Sequence, residues 1–146
     1  MAKAFSIEDG NLSNRPITSS VPKAYSDIDC AFVAKPSGDL YKKTDAAAVR
    51  QAVKNLLLTR RGEKPFQPYF GSGLYDLVFS LTTEVDEDDI KRYVMTAINN
   101  HERRAKVLNV TANFSPDYNS VDITVVFQVL TTLENVTVNV TISRNR

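Results

Sequence analysis

The sequence is poor in the residues from which metal sites, disulfides and catalytic pairs are built. Its 146 residues include one cysteine, one histidine and no tryptophan. The single cysteine, Cys30, excludes a disulfide within the chain and a zinc site made of cysteines. The single histidine, His101, excludes a site of several histidines. A glycine-rich phosphate loop is also missing, because Gly71-Ser-Gly73 lacks the glycine and lysine that would have to follow it. We therefore expect no metal and no cofactor.

An excess of one charge and long apolar runs are absent as well. The chain has 18 Lys and Arg against 17 Asp and Glu, a formal net charge of +1. This balance argues against a general nucleic-acid-binding protein. No stretch approaches the roughly 20 apolar residues of a membrane helix. The first ten residues lack the apolar core of a signal peptide, so we expect synthesis and retention in the cytoplasm.

Hydrophobic spacing predicts about three helices. The first covers residues 45–59, with Thr44 as its N-cap and apolar residues recurring every three or four positions. A short helix is expected from Leu74. A third begins at the acidic residues 86–89, which suit the positive end of a helix dipole, and ends near 101–103.

Alternating apolar and polar residues predict three strands after the helices. They cover residues 107–114, 121–129 and 136–143, and such alternation is typical of an antiparallel sheet with one buried face. The fold class is therefore α+β: an antiparallel sheet of three or more strands, with about three helices packed on one face. Residues 25–146 are expected to form this single domain. Residues 1–24, which contain Gly10, Pro16, Pro22 and scattered serine and asparagine without an apolar period, are expected to form an extended N-terminal arm.

Few residues point to catalysis. Cys30 and His101 could pair as nucleophile and base, but a small structural cysteine and a histidine at a helix end are favoured. A glycosidase needs two carboxylates across a bond, for which Glu63 and Glu102 are candidates in a chain with 17 acidic residues. The acids at 86–89 have the spacing of a helix start and not that of a calcium loop.

Three segments of the chain resemble a known family. The first is YSDID at 25–29, followed by Phe32 and a turn at 38–40. The second is NLLLTRRGEKPFQPYFGSGL at 55–74, a fixed order of glycine, proline and aromatic residues that is the most specific of the three. The third is AINNHERR at 97–104. Together they resemble the small baseplate wedge protein of contractile-tailed phages, the sheath initiator, which is related to a baseplate component of type VI secretion systems.

The third segment departs from the family pattern at one position. The family typically ends this helix with Glu-Pro-Arg, and here Glu102 and Arg104 occupy the outer positions. Arg103 replaces the proline, so the rigid exit from the helix is missing while the paired charges are kept.

The resemblance implies a structural role without enzymatic activity. Family members sit in the virion, in the tail baseplate around the central tube, in several copies. The implied partners are other baseplate wedge proteins, the tail sheath subunit, and the hub or tube-initiating proteins. The implied mechanism is strand addition, by which the first sheath ring joins the sheet of the initiator. Nucleic acid and membrane are not among the implied partners.

The last predicted strand carries no proline, lysine or glutamate over residues 136–143, so its edge is undefended against an added strand. A proline at Val138 or Val140 is then expected to block the addition. The residues expected at protein interfaces are Arg60, Arg61, Phe66, Tyr69, Glu102, Arg103, Arg104, Val136, Val138, Val140 and Ile142.

Two alternatives stay open from the sequence. One is a peptidoglycan-cleaving, lysozyme-like glycosidase, because some relatives carry an old lysozyme label. The other is a nucleic-acid module that combines the arginines of the two basic clusters, at 60–61 and 103–104, with Phe66 and Tyr69. Its binding would depend steeply on salt.

Overall fold

A computed structural model describes residues 25–79, 86–115 and 120–143. The predicted N-terminal arm, residues 1–24, lies outside these ranges. Over the described part of the chain the order of elements is two short strands, three helices and three long strands. The predicted α+β class is confirmed. None of the described helices has the length and apolar character needed to cross a membrane.

The three helices are α1 (Ala46–Leu58), α2 (Leu74–Phe79) and α3 (Glu87–His101). The predicted apolar stripe of α1 is buried, as is that of α3. The first turn of α3 is acidic, as the helix dipole favours. The N-cap prediction for α1 is wrong. Asp45 holds that position, because Thr44 pairs with Ser26 in a small sheet.

That small sheet consists of β1 (Ser26–Ile28) and β2 (Lys42–Thr44), paired antiparallel. Strand β2 was not predicted, since its sequence Lys-Lys-Thr has no apolar alternation. Between the two strands, residues 35–39 form a turn, in which the Lys35 amide donates to the Asp39 carbonyl at 2.7 Å. The small sheet and this turn form a hairpin beside α1.

The main sheet contains β3 (Ala105–Ser115), β4 (Ser120–Val129) and β5 (Asn135–Ser143), with β4 in the centre. Both pairings are antiparallel. The imperfect alternation of β3 has a physical cause. An irregularity between Val107 and Asn109 moves its buried positions from odd to even numbers.

The core lies between one face of this sheet and the helices. Helix α3 packs on β3, and helix α1 packs on β5. The largest fully buried side chains include Phe127, Leu57, Leu74, Ile98 and Ile123. The opposite face of the sheet carries polar side chains, mainly asparagine and threonine. Strands β3 and β5 are left as the two edges.

Candidate protein-interaction surfaces

The outer edge of β5 is the first candidate surface. Alternate residues of an antiparallel strand turn their backbone groups toward one neighbour and then the other. The Val129 amide donates to the Glu134 carbonyl at 3.0 Å, on the β5 side, and the Leu130 amide donates to the Arg104 carbonyl at 3.0 Å, on the β3 side. Odd-numbered residues of β4 therefore pair with β5.

The register of the β4–β5 pairing shows which residues of β5 form hydrogen bonds to β4. Phe127 is opposite Val136, Val125 opposite Val138, and so on in steps of two. The even-numbered residues of β5 therefore direct their backbone groups inward, to β4. The odd-numbered residues, among them Thr137, Asn139 and Thr141, direct their amides and carbonyls to the outer edge.

The predicted interface residues of β5 do not direct their backbone groups to the outer edge. The side chains of Val138, Val140 and Ile142 are buried in the core, and that of Val136 is partly buried against it. Their amides serve the β4–β5 ladder, so a proline at Val138 or Val140 would damage the fold itself. Thr137, Asn139 and Thr141, which the sequence analysis did not select, carry the groups that an added strand would meet. The sequence gives no signal for this phase, because it depends on the turn at 130–133.

The edge itself is open. Within the described residues no other strand pairs with β5. Its polar face is tied to β4 by a side-chain bond, in which the Thr141 hydroxyl donates to Asp122 Oδ1 at 2.6 Å. The strand is nine residues long. An edge of this length that carries no lysine or proline, and that no described strand pairs with, is suited to pairing with another chain.

The Glu102–Arg104 pair is the second candidate. Arg104 Nε and Nη2 donate to Glu102 Oε1 and Oε2, each at 2.6 Å. Glu102 is buried, and Arg104 also lies over the Tyr25 ring, 5.2 Å from its centroid. Hydrogen bonding to Glu102 raises the pKa of Arg104. The pair fixes the passage from α3 into β3, and Arg103 between them is exposed.

The helix exit does not need the family's proline. Helix α3 ends at His101, and Glu102 already has non-helical backbone angles, with φ −126° and ψ 82°. The Glu102 amide still donates to the Ile98 carbonyl at 2.8 Å. The two charges that flank Arg103 therefore reach each other with arginine at the family's proline position.

The loop at residues 60–73 is the third candidate. Hydrogen bonds between Ser72 and the backbone at the end of α1 hold its two ends together. Ser72 donates from its amide to the Thr59 carbonyl at 2.9 Å, and from its hydroxyl to the Leu57 carbonyl at 2.6 Å. Gly71 has φ +110°, and a Cβ there would lie 2.6 Å from the Thr59 oxygen. Only glycine fits this position without distortion.

The same loop presents two aromatic rings to solvent. Phe66 is fully exposed, with a relative exposure of 102%, and Tyr69 is 84% exposed. Phe66 adopts φ 64°, a left-handed conformation that is unusual for a bulky side chain. The arginines at the start of the loop are used within the chain: Arg60 lies 4.2 Å from the Tyr75 ring centroid, and Arg61 5.9 Å from that of Tyr93.

The residues considered for catalysis have different neighbours. Cys30 is exposed and within 3.6 Å of the Asn55 amide nitrogen. The His101 ring lies 5.3 Å from the Phe70 ring. Both oxygens of Glu102 are occupied by Arg104. Among residues 25–79, 86–115 and 120–143, no group of three or more metal-ligating side chains comes together.

The fold defines a small α+β domain in which no described strand pairs with the outer edge of β5. Comparison with known proteins identifies it further. Residues 43–134 match the family described as baseplate wedge protein gp25. The chain is 30% identical over 99 residues to the baseplate wedge protein gp25 of Enterobacteria phage T4, covering 68% of this chain and 74% of that protein. The chain belongs to this family of structural baseplate proteins of contractile tails.

Solved structures share the fold. A Geobacter sulfurreducens protein, provisionally named a tail lysozyme, has a TM-score of 0.59 and 25% identity, over 67% of this chain and 89% of its own. A chain of the anti-feeding prophage baseplate has a TM-score of 0.57 and 17% identity, over 84% and 87%. A chain of the type VI secretion baseplate complex has a TM-score of 0.56 and 13% identity, over 67% and 92%.

Proposed function

We propose that this protein is the structural wedge subunit on which sheath assembly begins, and that it acts by accepting a strand of the sheath subunit on the outer edge of β5. Its place is then the tail baseplate of the virion, in several copies, after synthesis in the host cytoplasm. The observation that carries the proposal is the open edge, where the amides and carbonyls of Thr137, Asn139 and Thr141 point away from β4. Main-chain hydrogen bonds to these groups would extend the sheet by one strand.

Two further surfaces are proposed to contact neighbouring wedge and hub proteins. One is the loop at 60–73, where Phe66 and Tyr69 are exposed. Isolated exposed aromatic rings of this kind are typical anchors of protein interfaces. The other is the exit from α3, where the exposed Arg103 stands between two residues that are paired with each other. Arg60 and Arg61 support the loop from within through their contacts with Tyr75 and Tyr93.

The edge is tested by a proline at Asn139. This residue is exposed and its amide faces outward, so Asn139→Pro removes an outward donor while it leaves the β4–β5 ladder in place. We expect a folded protein that no longer nucleates sheath when baseplates are mixed with sheath subunits and counted by electron microscopy. Asn139→Ala keeps the amide and should nucleate normally. Normal nucleation by folded Asn139→Pro would refute strand addition at this edge.

The role is proposed to be non-enzymatic. Of the two carboxylates considered for a glycosidase, Glu102 is occupied by Arg104, and exposed Glu63 accepts a hydrogen bond from the Arg60 amide at 2.9 Å. The purified protein should release no soluble fragments from peptidoglycan. Release that disappears in Glu63→Gln would contradict this part of the proposal.

A further inference from the structure

A cleft lies beside the middle of β5, at its outer edge. Its floor includes Val138 and Asn139, and its volume is about 450 Å³. One wall is the outer side of α1, from Ala47 to Asn55, and the other is the segment around Cys30. The outer side of α1, which packs on β5, and the outer edge of this strand therefore line the same cleft.

The walls of this cleft are basic. Lys43, Arg50 and Lys54 line it, against a single acid, Asp29. Lys43 is already engaged, 2.9 Å from Asp29 Oδ1 and 2.8 Å from Gln51 Oε1. Arg50 and Lys54 are exposed, and in the described part of the chain neither has an ion-pair partner.

The pleat of the sheet determines which side chains of an added strand would face these cations. Residues directly opposite each other in neighbouring strands point to the same face. Val138 and Val140 point toward the helices. Every second side chain of the added strand would therefore point to the helix side of the sheet, beside α1. Arg50 and Lys54 lie one helical turn apart on α1.

From this arrangement we propose that the segment received at β5 is acidic. It is an extended strand of a partner protein with carboxylates on alternate residues, and these carboxylates pair with Arg50 and Lys54 while its backbone pairs with Thr137, Asn139 and Thr141. The inference rests on the proposed function and adds the chemistry of the partner. The remaining side chains of the added strand would lie on the same face of the sheet as those of Thr137, Asn139 and Thr141. These β5 residues are uncharged, so that face of the added strand needs no particular charge.

The test uses the full chain and two synthetic peptides. Each has nine residues, the length of β5; one alternates glutamate with threonine, and the other has lysine in place of glutamate. We expect the acidic peptide to shift the amide NMR signals of Thr137, Asn139 and Thr141, and to bind about tenfold more tightly than the basic one. In the double variant R50E/K54E the preference should reverse. Lys106→Glu, an exposed change on β3, should leave the preference unchanged.

Equal binding of the two peptides, or no shift of the three amide signals by either, would overturn the acidic preference. A sheath-nucleation assay separates this inference from the proposed function. If Asn139→Pro abolishes nucleation and R50E/K54E does not, strand addition stands and the role of the two cations is wrong. If neither variant affects nucleation, both proposals are wrong.

Discussion

Both carboxylate oxygens of Glu102 accept a hydrogen bond from Arg104, two residues further along the chain, at 2.6 Å each. The two charges that flank Arg103 therefore pair with each other within the subunit. Arg104 also accepts the Leu130 amide on its carbonyl at 3.0 Å. One residue thus connects the end of α3, the start of β3 and the end of β4.

Removal of the guanidinium should destabilise the fold. Arg104→Ala leaves Glu102, a residue only 7% exposed, without its charged partner, and only the hydrogen bond from the amide of residue 104 remains. Because the Arg104 side chain is itself 35% exposed, water can replace part of the interaction, and we expect a loss of about 2 kcal/mol in the free energy of unfolding. Urea denaturation measures it. Arg103→Ala, at the exposed neighbour, should change it by less than about 0.5 kcal/mol. Equal stability of the two variants would show that the pair contributes little.

The loop at 60–73 should depend on the absence of a side chain at Gly71. Gly71→Ala combines an unfavourable φ with a Cβ placed 2.6 Å from the Thr59 oxygen, so we expect a loss of about 3 kcal/mol in the free energy of unfolding. Gly62 is the matched control, since it has φ +82° but open space around its Cβ. Gly62→Ala should cost only about 1 kcal/mol. Thermal unfolding of both variants gives the comparison. A similar loss of stability in the two would show that the backbone shifts to remove the contact between the new Cβ at position 71 and the Thr59 oxygen.

Phe66 should be unfavourable for the isolated subunit and favourable for the assembly. The left-handed φ of 64° costs a bulky residue such as Phe66 about 1–2 kcal/mol. Replacement by glycine removes this strain, but the greater conformational entropy of glycine in the unfolded chain cancels about 0.5–1 kcal/mol of the gain. Phe66→Gly should therefore raise the free energy of unfolding by about 0.5 kcal/mol and weaken co-assembly with neighbouring wedge proteins. Gln67→Gly, at an ordinary φ, should lower the stability. Co-assembly that is unchanged in Phe66→Gly would remove this ring from the interface.

The hairpin beside α1 should respond to acid through Asp29. A hydrogen bond from Lys43 and one from the Ala31 amide hold the pKa of this carboxylate below its ordinary value of 3.8. Because the folded state has the lower pKa, the stabilisation is complete above about pH 4 and is lost as the pH falls through the folded pKa. Asp29→Asn should be less stable than the natural chain at neutral pH and equal to it in strong acid. Denaturation over a pH series measures the difference, and a gap that does not close would contradict the assignment.

The helices and long strands were predictable because apolar periodicity reflects burial directly. Val49, Val53, Leu56 and Leu57 are buried as their spacing predicts. Strand β2 was not predictable, since two lysines and a threonine are held extended by pairing with β1 and not by an apolar face. The interruption in β3 was visible as imperfect alternation, but its position between Val107 and Asn109 was not.

The surfaces were predictable only in part. Phe66 and Tyr69 are exposed, in keeping with the interface prediction from the aromatic loop. The sequence did not allow us to predict which alternate residues of β5 direct their backbone groups to the outer edge. This depends on the turn before the strand, in which Leu133, and not a glycine, has a positive φ (57°). The cleft cations Arg50 and Lys54 were missed for another reason. On a helical pattern they are ordinary solvent-facing residues, and only the folded structure places both of them beside β5, in one cleft with Val138 and Asn139.

The basic cleft beside β5 also bears on how two copies of the subunit would meet at this edge. Two copies that joined β5 to β5 in antiparallel fashion would be related by a twofold axis perpendicular to the sheet, so both α1 helices would lie on the same side of the junction. Arg50 and Lys54 of one copy would then approach the same cations of the other, and like charges at an interface oppose association. The cations beside β5 would therefore disfavour pairing of two copies at this edge, while an acidic partner strand would not meet the same repulsion.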